Sequence, residues 1–154
     1  MSSHAKLRKR FEDAAKSYRQ DLDAMAEASL ILSPGGVARP PCDFTFEVAY
    51  VNRRIAKRLR GETPPPPAEG WVTAPDEFRT KATTIEEFQS AADDLLAAWD
   101  GISDSEIDRE IVLQSGSTTT PSDLMYLAAY HAGYHDAQLN YHQAIQGDGE
   151  VHWA

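Results

Sequence analysis

The sequence predicts an all-α fold, an antiparallel four-helix bundle spanning residues 1–154 as one domain. Three observations predict it. Four long stretches carry apolar residues at spacings of three and four, Pro and Gly punctuate the intervals between them, and the apolar–polar alternation of strands is almost missing. A chain of 154 residues suits a single hydrophobic core. With 42% hydrophobic and 25% charged residues, it can offset its ordering entropy by apolar burial.

The first helix is expected over residues 4–32, with Leu7, Phe11, Ala14, Tyr18, Leu22, Met25 and Ser29 on one stripe. Ser33-Pro34-Gly35-Gly36 stops it, and residues 37–41 read as an extended connector. The basic group Lys6, Arg8, Lys9 and Arg10 runs straight into Glu12 and Asp13, so it reads as solvated helix surface. Asp43 can cap the second helix. Phe44, Val48, Val51, Ile55 and Leu59 form its apolar stripe, Arg53, Arg54, Lys57 and Arg58 surround the rest, and Gly61 closes it. The run from Pro64 to Pro67 has no amide hydrogens to donate, so residues 62–76 predict a semi-rigid surface loop.

Thr83 and Thr84 stand three residues before Glu86 and Glu87, a doubled capping-box pattern. It starts a third helix with Ile85, Phe88, Ala92, Leu95 and Trp99 inside and Asp100-Gly101 at its end. Residues 109–113 fit either a short strand or an extended arm. The fourth helix opens with Thr120 as cap, Pro121 at the first helical position and Asp123 in the first turn. It is expected to run to Gln146, where Gly147 breaks it.

Composition also excludes functions. Against 24 Asp and Glu stand 15 Lys and Arg, and the net charge of −9 repels a phosphate backbone, which disfavours nucleic-acid binding. Cys42 has no second cysteine to pair with, and Met1-Ser2-Ser3-His4 carries no apolar stretch, so a cytoplasmic location is expected. No apolar run approaches the ~18 to 20 residues that cross a bilayer, so no membrane role is expected.

At about 100° per residue, Leu124, Leu127, His131, His135, Gln138, His142 and Ile145 share a sector of about 60° on the fourth helix. His131 and His135, four residues apart, can turn their ring nitrogens to one side and bind a single ion. The competing reading is a pair of histidines satisfied by ordinary hydrogen bonds. Burying three imidazoles and an amide together is costly without partners, and a metal ion is an efficient common partner. Glu47, beside Phe44, Val48 and Val51, is a candidate third ligand; alternatively it points to solvent and pairs with Arg54 or another basic neighbour. Two histidines and one carboxylate leave coordination positions open, as in a catalytic site. His142 lies two turns beyond His135, too far to share the ion, and Tyr126, Tyr130, Tyr134 and Tyr141 read as packing and rim residues. Cys42 has no histidine near it in sequence and reads as inert.

The stretch His131-Ala-Gly-Tyr-His135-Asp-Ala-Gln138-Leu-Asn-Tyr resembles the last helix of the DinB/YfiT-like superfamily, and Asp43-Phe-Thr-Phe-Glu47-Val-Ala-Tyr-Val-Asn52-Arg-Arg-Ile resembles its second. The resemblance implies a four-helix bundle in which three ligands, typically histidines, hold a divalent ion between helices. Nickel or zinc is the metal it implies first, with iron or manganese as alternatives. His131 and His135 match the last-helix pair, whereas Glu47 replaces the histidine of the second helix. Gln138 looks like the family glutamine that orients a ligand, and an interhelical hydrogen bond is its other reading. Members include transferases and isomerases that use low-molecular-weight thiols, and they often form homodimers.

Two functions follow as expectations. One is a divalent-metal-dependent enzyme acting on a small-molecule substrate, as a thiol-dependent transferase or a hydrolase. The other is an inactive binding or interaction module with a structural metal or none.

Overall fold

The computed structural model describes residues 1–153. Helix α1 (Ser3–Ala24) starts where the Ser2 hydroxyl accepts the Ala5 N–H. It ends earlier than its apolar period suggests: Met25 is extended, and a single turn, α2 (Glu27–Leu30), follows. The break lets Met25 and Leu30 both enter the core, where a continuous helix would separate them by more than a turn, and it leaves Ile31 and Leu32 exposed.

Helix α3 (Pro41–Leu59) begins two residues before Asp43. Pro41 at its first position already has a helical φ and lacks only an N–H that would find no intrahelical partner. Asp43 is therefore not the cap; its Oδ1 accepts from Ala74 N–H at 2.9 Å and from Arg79 Nη2 at 3.1 Å, fastening the Pro-rich loop to the helix start. Gly61, at φ 79°, ends the helix as expected. After one 3-10 turn (Asp76–Phe78), helix α4 (Lys81–Asp100) is capped by Thr80, whose hydroxyl accepts the Thr83 N–H while Thr83 Oγ1 accepts from Thr80 N–H. The capping box thus lies three residues before the Thr83/Thr84 start, because threonine supplies both halves of it. Glu87 turns outward to meet Arg53 with both oxygens, at 2.8 and 3.0 Å.

The undecided segment is a minimal antiparallel hairpin, β1 (Ile111–Val112) with β2 (Thr118–Thr119), Ile111 opposite Thr119. Helix α5 (Pro121–Ile145) starts as the sequence predicts, with Thr120 Oγ1 accepting the Asp123 N–H at 3.1 Å. No described helix is long and apolar enough to cross a membrane.

The four long helices form the expected bundle, in the ring α1–α5–α3–α4, but only two of the four neighbouring pairs are antiparallel, not all of them as the sequence suggests. His4 meets Trp99 and Tyr18 meets Phe88, so α1 and α4 run antiparallel. Phe44 meets His135 and Glu47 faces His131, so α3 and α5 do too. The other neighbours run parallel: Arg53 of α3 and Arg60 at its C-cap reach Glu87 and Asp94 of α4, and Arg10 and Asp21 of α1 reach Tyr126 and Asn140 of α5. A parallel step from α3 to α4 needs a connector of helix length, roughly 28 Å for 19 residues, and residues 60–80 with their extended prolines supply it.

Two apolar clusters fill the bundle. One gathers Phe11, Ile55, Leu95, Trp99 and Met125; the other gathers Tyr18, Leu22, Val48, Phe88, Ala132 and Leu139, next to the candidate site. Phe11, Tyr18 and Leu22 of α1 are wholly buried inside the bundle. The sector assigned to α5 needs correction. Leu127 and Ile145 are 45% and 47% exposed, and the buried face carries Met125, Ala128, Ala132, His135, Leu139 and His142. The helix is wedged between α1 and α3, so the buried face follows their contact lines and the histidines lie at its α3 edge.

On the α1 side of the same helix, buried Asp21 and the partly buried Asp136 lie close together, and burial and the neighbouring Asp21 carboxylate push Asp136 above the ordinary carboxylate range. Asn140 Nδ2 donates to Asp21 Oδ2 at 2.8 Å, and Asp21 Oδ1 is left without a partner. Asp21→Asn keeps an acceptor for Asn140 and gives Asp136 an amide donor. It is expected to stabilise the fold by about 1 kcal/mol at neutral pH. Urea unfolding measures this, and a loss of stability would contradict the acid-pair description.

Candidate metal centre

Glu47 lies in the second turn of α3, and His131 and His135 lie one turn apart on α5, where these antiparallel helices meet. One donor atom from each residue lies within 4.8 Å of the other two. His131 Nε2 is 3.1 Å from His135 Nε2 and 3.9 Å from Glu47 Oε1. His135 is 1% exposed, and the side chains of His131 and Glu47 are each 18% exposed, so the triad is largely buried but still reached by solvent.

Gln138 Oε1 accepts from His135 Nδ1–H at 2.8 Å, which leaves His135 Nε2 with a bare lone pair aimed at the triad. His131 Nε2–H then donates to that lone pair, so one proton sits between two nitrogens that can both ligate a cation. Burial drives both imidazoles toward the neutral form. It pushes His135 down to about 4, against the opposing effect of its hydrogen bond to Gln138, and lowers His131 against the opposing charge of Glu47. Neutral imidazole is the ligating state. Two such rings and one carboxylate form a donor set that suits a divalent ion, and the triad can hold one.

Phe44 stacks on the His135 ring at 5.5 Å, and Tyr134 meets it edge-on at 5.0 Å. These contacts fix the ring between α3 and solvent. Removing the Gln138 acceptor by Gln138→Ala is expected to weaken zinc affinity by roughly 10- to 100-fold. A competition titration against a coloured chelator reads it, and unchanged affinity would leave Gln138 with no orienting role.

The structure brings together the four residues singled out in the sequence and adds one that sequence reasoning missed. Arg39, in the connector before α3, donates from Nη1 to Glu47 Oε2 and to Val72 O, the latter at 3.3 Å, and its guanidinium covers the Trp71 ring at 4.6 Å. Glu47 therefore pairs with Arg39 through one oxygen and faces His131 with the other. Arg54, the cation considered from the sequence, is buried and donates to Pro65 O instead. No local pattern marks Arg39, because its position depends on the Ser33–Ala38 turn, closed by Ser33 Oγ donating to Ala38 O at 2.7 Å. His142 stands apart from the triad and ties α5 to Leu32 O through Nε2 at 2.9 Å. Cys42 is buried, and burial with the Asp43 charge pushes its thiol up to about 11, which fits an inert role. The four tyrosines of the sequence reading are all exposed.

Bundle and triad together define a class: helical proteins that carry a His/His/Glu set between two helices, able to hold a divalent cation. The chain belongs to the DinB superfamily, whose family model matches residues 10–139. No curated protein matches the chain.

Proposed function

We propose that this protein is a divalent-metal-dependent enzyme acting on a small molecule, with a thiol-dependent transfer or a hydrolysis as its reaction. The observation that carries this reading is the convergence of three ligand atoms, two of them on imidazoles that burial drives toward the neutral form, at a place that solvent still reaches. A nickel or zinc ion held by Glu47, His131 and His135 would supply a Lewis acid that lowers the pKa of a thiol or of water.

The chain's own groups have distinct parts. Gln138 holds the His135 tautomer, Arg39 holds the orientation of the Glu47 carboxylate, and Phe44 and Tyr134 keep water off the His135 ring. One observation favours the second reading, a binding module without catalysis. The Arg39 ion pair already neutralises Glu47, and the two histidines already share a hydrogen bond, so the triad is largely self-satisfied.

Cobalt(II) titrated into untagged protein separates the two readings. An open site gives a visible spectrum that changes when a small thiol is added. A spectrum indifferent to thiol, or no cobalt spectrum at all, favours the module.

A further inference from the structure

A cleft of about 960 Å³ opens beside the triad, within the size range of small-molecule sites. Its walls come from the connector before α3, the Pro-rich loop and α5, and they include Val37, Arg39, Phe44, Trp71, Tyr134 and Tyr141. Phe44 and Tyr134 also touch His135, so the cleft and the triad share a wall. Val37 is fully exposed and Trp71 is 76% exposed at the mouth, an arrangement that a seated apolar body would cover.

The charge of the cleft is specific. Among the described residues no Asp or Glu lines it, and Arg39 is its one cationic side chain, in a protein of net charge −9. Arg39 spends only Nη1 on protein acceptors, Glu47 and Val72 O. The Nε and Nη2 donors have no protein partner among the described residues, and the guanidinium plane is held by the Trp71 ring. Such an edge matches the two oxygens of a carboxylate.

We propose that this cleft binds an apolar, ring-bearing carboxylic acid, its ring among the aromatic walls and its carboxylate on the free edge of Arg39. Because Nη1 of the same guanidinium holds Glu47, the acid group is placed next to the triad. This substrate class rests on the reading of the triad as the reacting end of the cleft.

The test is calorimetric titration of untagged, full-length protein with 2-naphthoate and with 2-naphthalenemethanol, its neutral analogue, first in chelator-treated protein. The acid is expected to bind at least about tenfold more tightly than the alcohol. Arg39→Gln is expected to abolish that preference while leaving alcohol binding in place. Ala137→Trp, a change at an exposed position of α5 that lines the cleft, is expected to remove binding of both compounds. Equal affinity for acid and alcohol in the parent protein would overturn the proposal, as would a preference that survives Arg39→Gln or tight naphthoate binding by Ala137→Trp. Zinc titrated into the same samples keeps the two ideas apart. Tight zinc binding without the acid preference sinks only the substrate class, whereas the acid preference without zinc binding supports the cleft and sinks the metal reading.

Discussion

His135→Ala is expected to lower the affinity for zinc or nickel by about two orders of magnitude or more. The ring supplies a lone pair whose direction is set from three sides, by Gln138 at Nδ1, by Phe44 stacked on its face and by Tyr134 against its edge. No other residue of the triad can replace it, since His131 and Glu47 each supply one donor atom of their own. His135 is also a core residue, so its loss leaves a cavity; His135→Gln preserves more of the volume and keeps the comparison valid if the alanine variant folds poorly. His142→Ala is the matched control. It removes another buried imidazole of α5, one bonded to Leu32 O and outside the triad, and is expected to leave metal affinity unchanged. Competition with a coloured chelator measures all three, and equal affinities for the parent and both His135 variants would contradict the role given to that ring.

Trp99→Ala is expected to cost about 3–5 kcal/mol of folding stability, the range for truncating a buried large aromatic. The indole is wholly buried in the cluster away from the triad, against residues such as Phe11, Leu95 and Met125. It also joins the start of α1 to the end of α4: its ring stacks on His4 at 4.6 Å, its Nε1 donates to His4 O at 3.3 Å, and Trp99 O accepts from His4 Nε2 at 3.0 Å. Truncation therefore removes apolar burial and the indole's hydrogen bond to α1 in one step. Urea unfolding followed by circular dichroism measures the loss. A cost below about 1 kcal/mol would mean that the His4 end of α1 contributes little to the bundle.

Much of this was legible in the sequence because the signals are local. Thr120-Pro121 fixes the start of α5 through one hydroxyl and one missing N–H, and the four-residue spacing of His131 and His135 fixes their shared direction. Glu47 could be placed at the edge of the α3 stripe, but not assigned a partner, since its cation comes from a connector. What stayed illegible depends on tertiary packing. The end of α1 at Ala24 carries no Pro or Gly, and burial of Met25 and Leu30 decides it. The buried face of α5 is set by two neighbours at once, so a single periodic sector misassigned Leu127 and Ile145. Arg39, Phe44 and Trp71 come from three segments and form one cleft only after the bundle closes.

X-ray absorption at the metal edge, on zinc-loaded untagged protein, tests the shared ion most directly. Two imidazole scattering signatures and at least one oxygen neighbour are expected, with one imidazole lost in His131→Ala and the protein's oxygen changed in Glu47→Gln. A spectrum with no imidazole, or one that neither substitution alters, would place the ion elsewhere and contradict the triad.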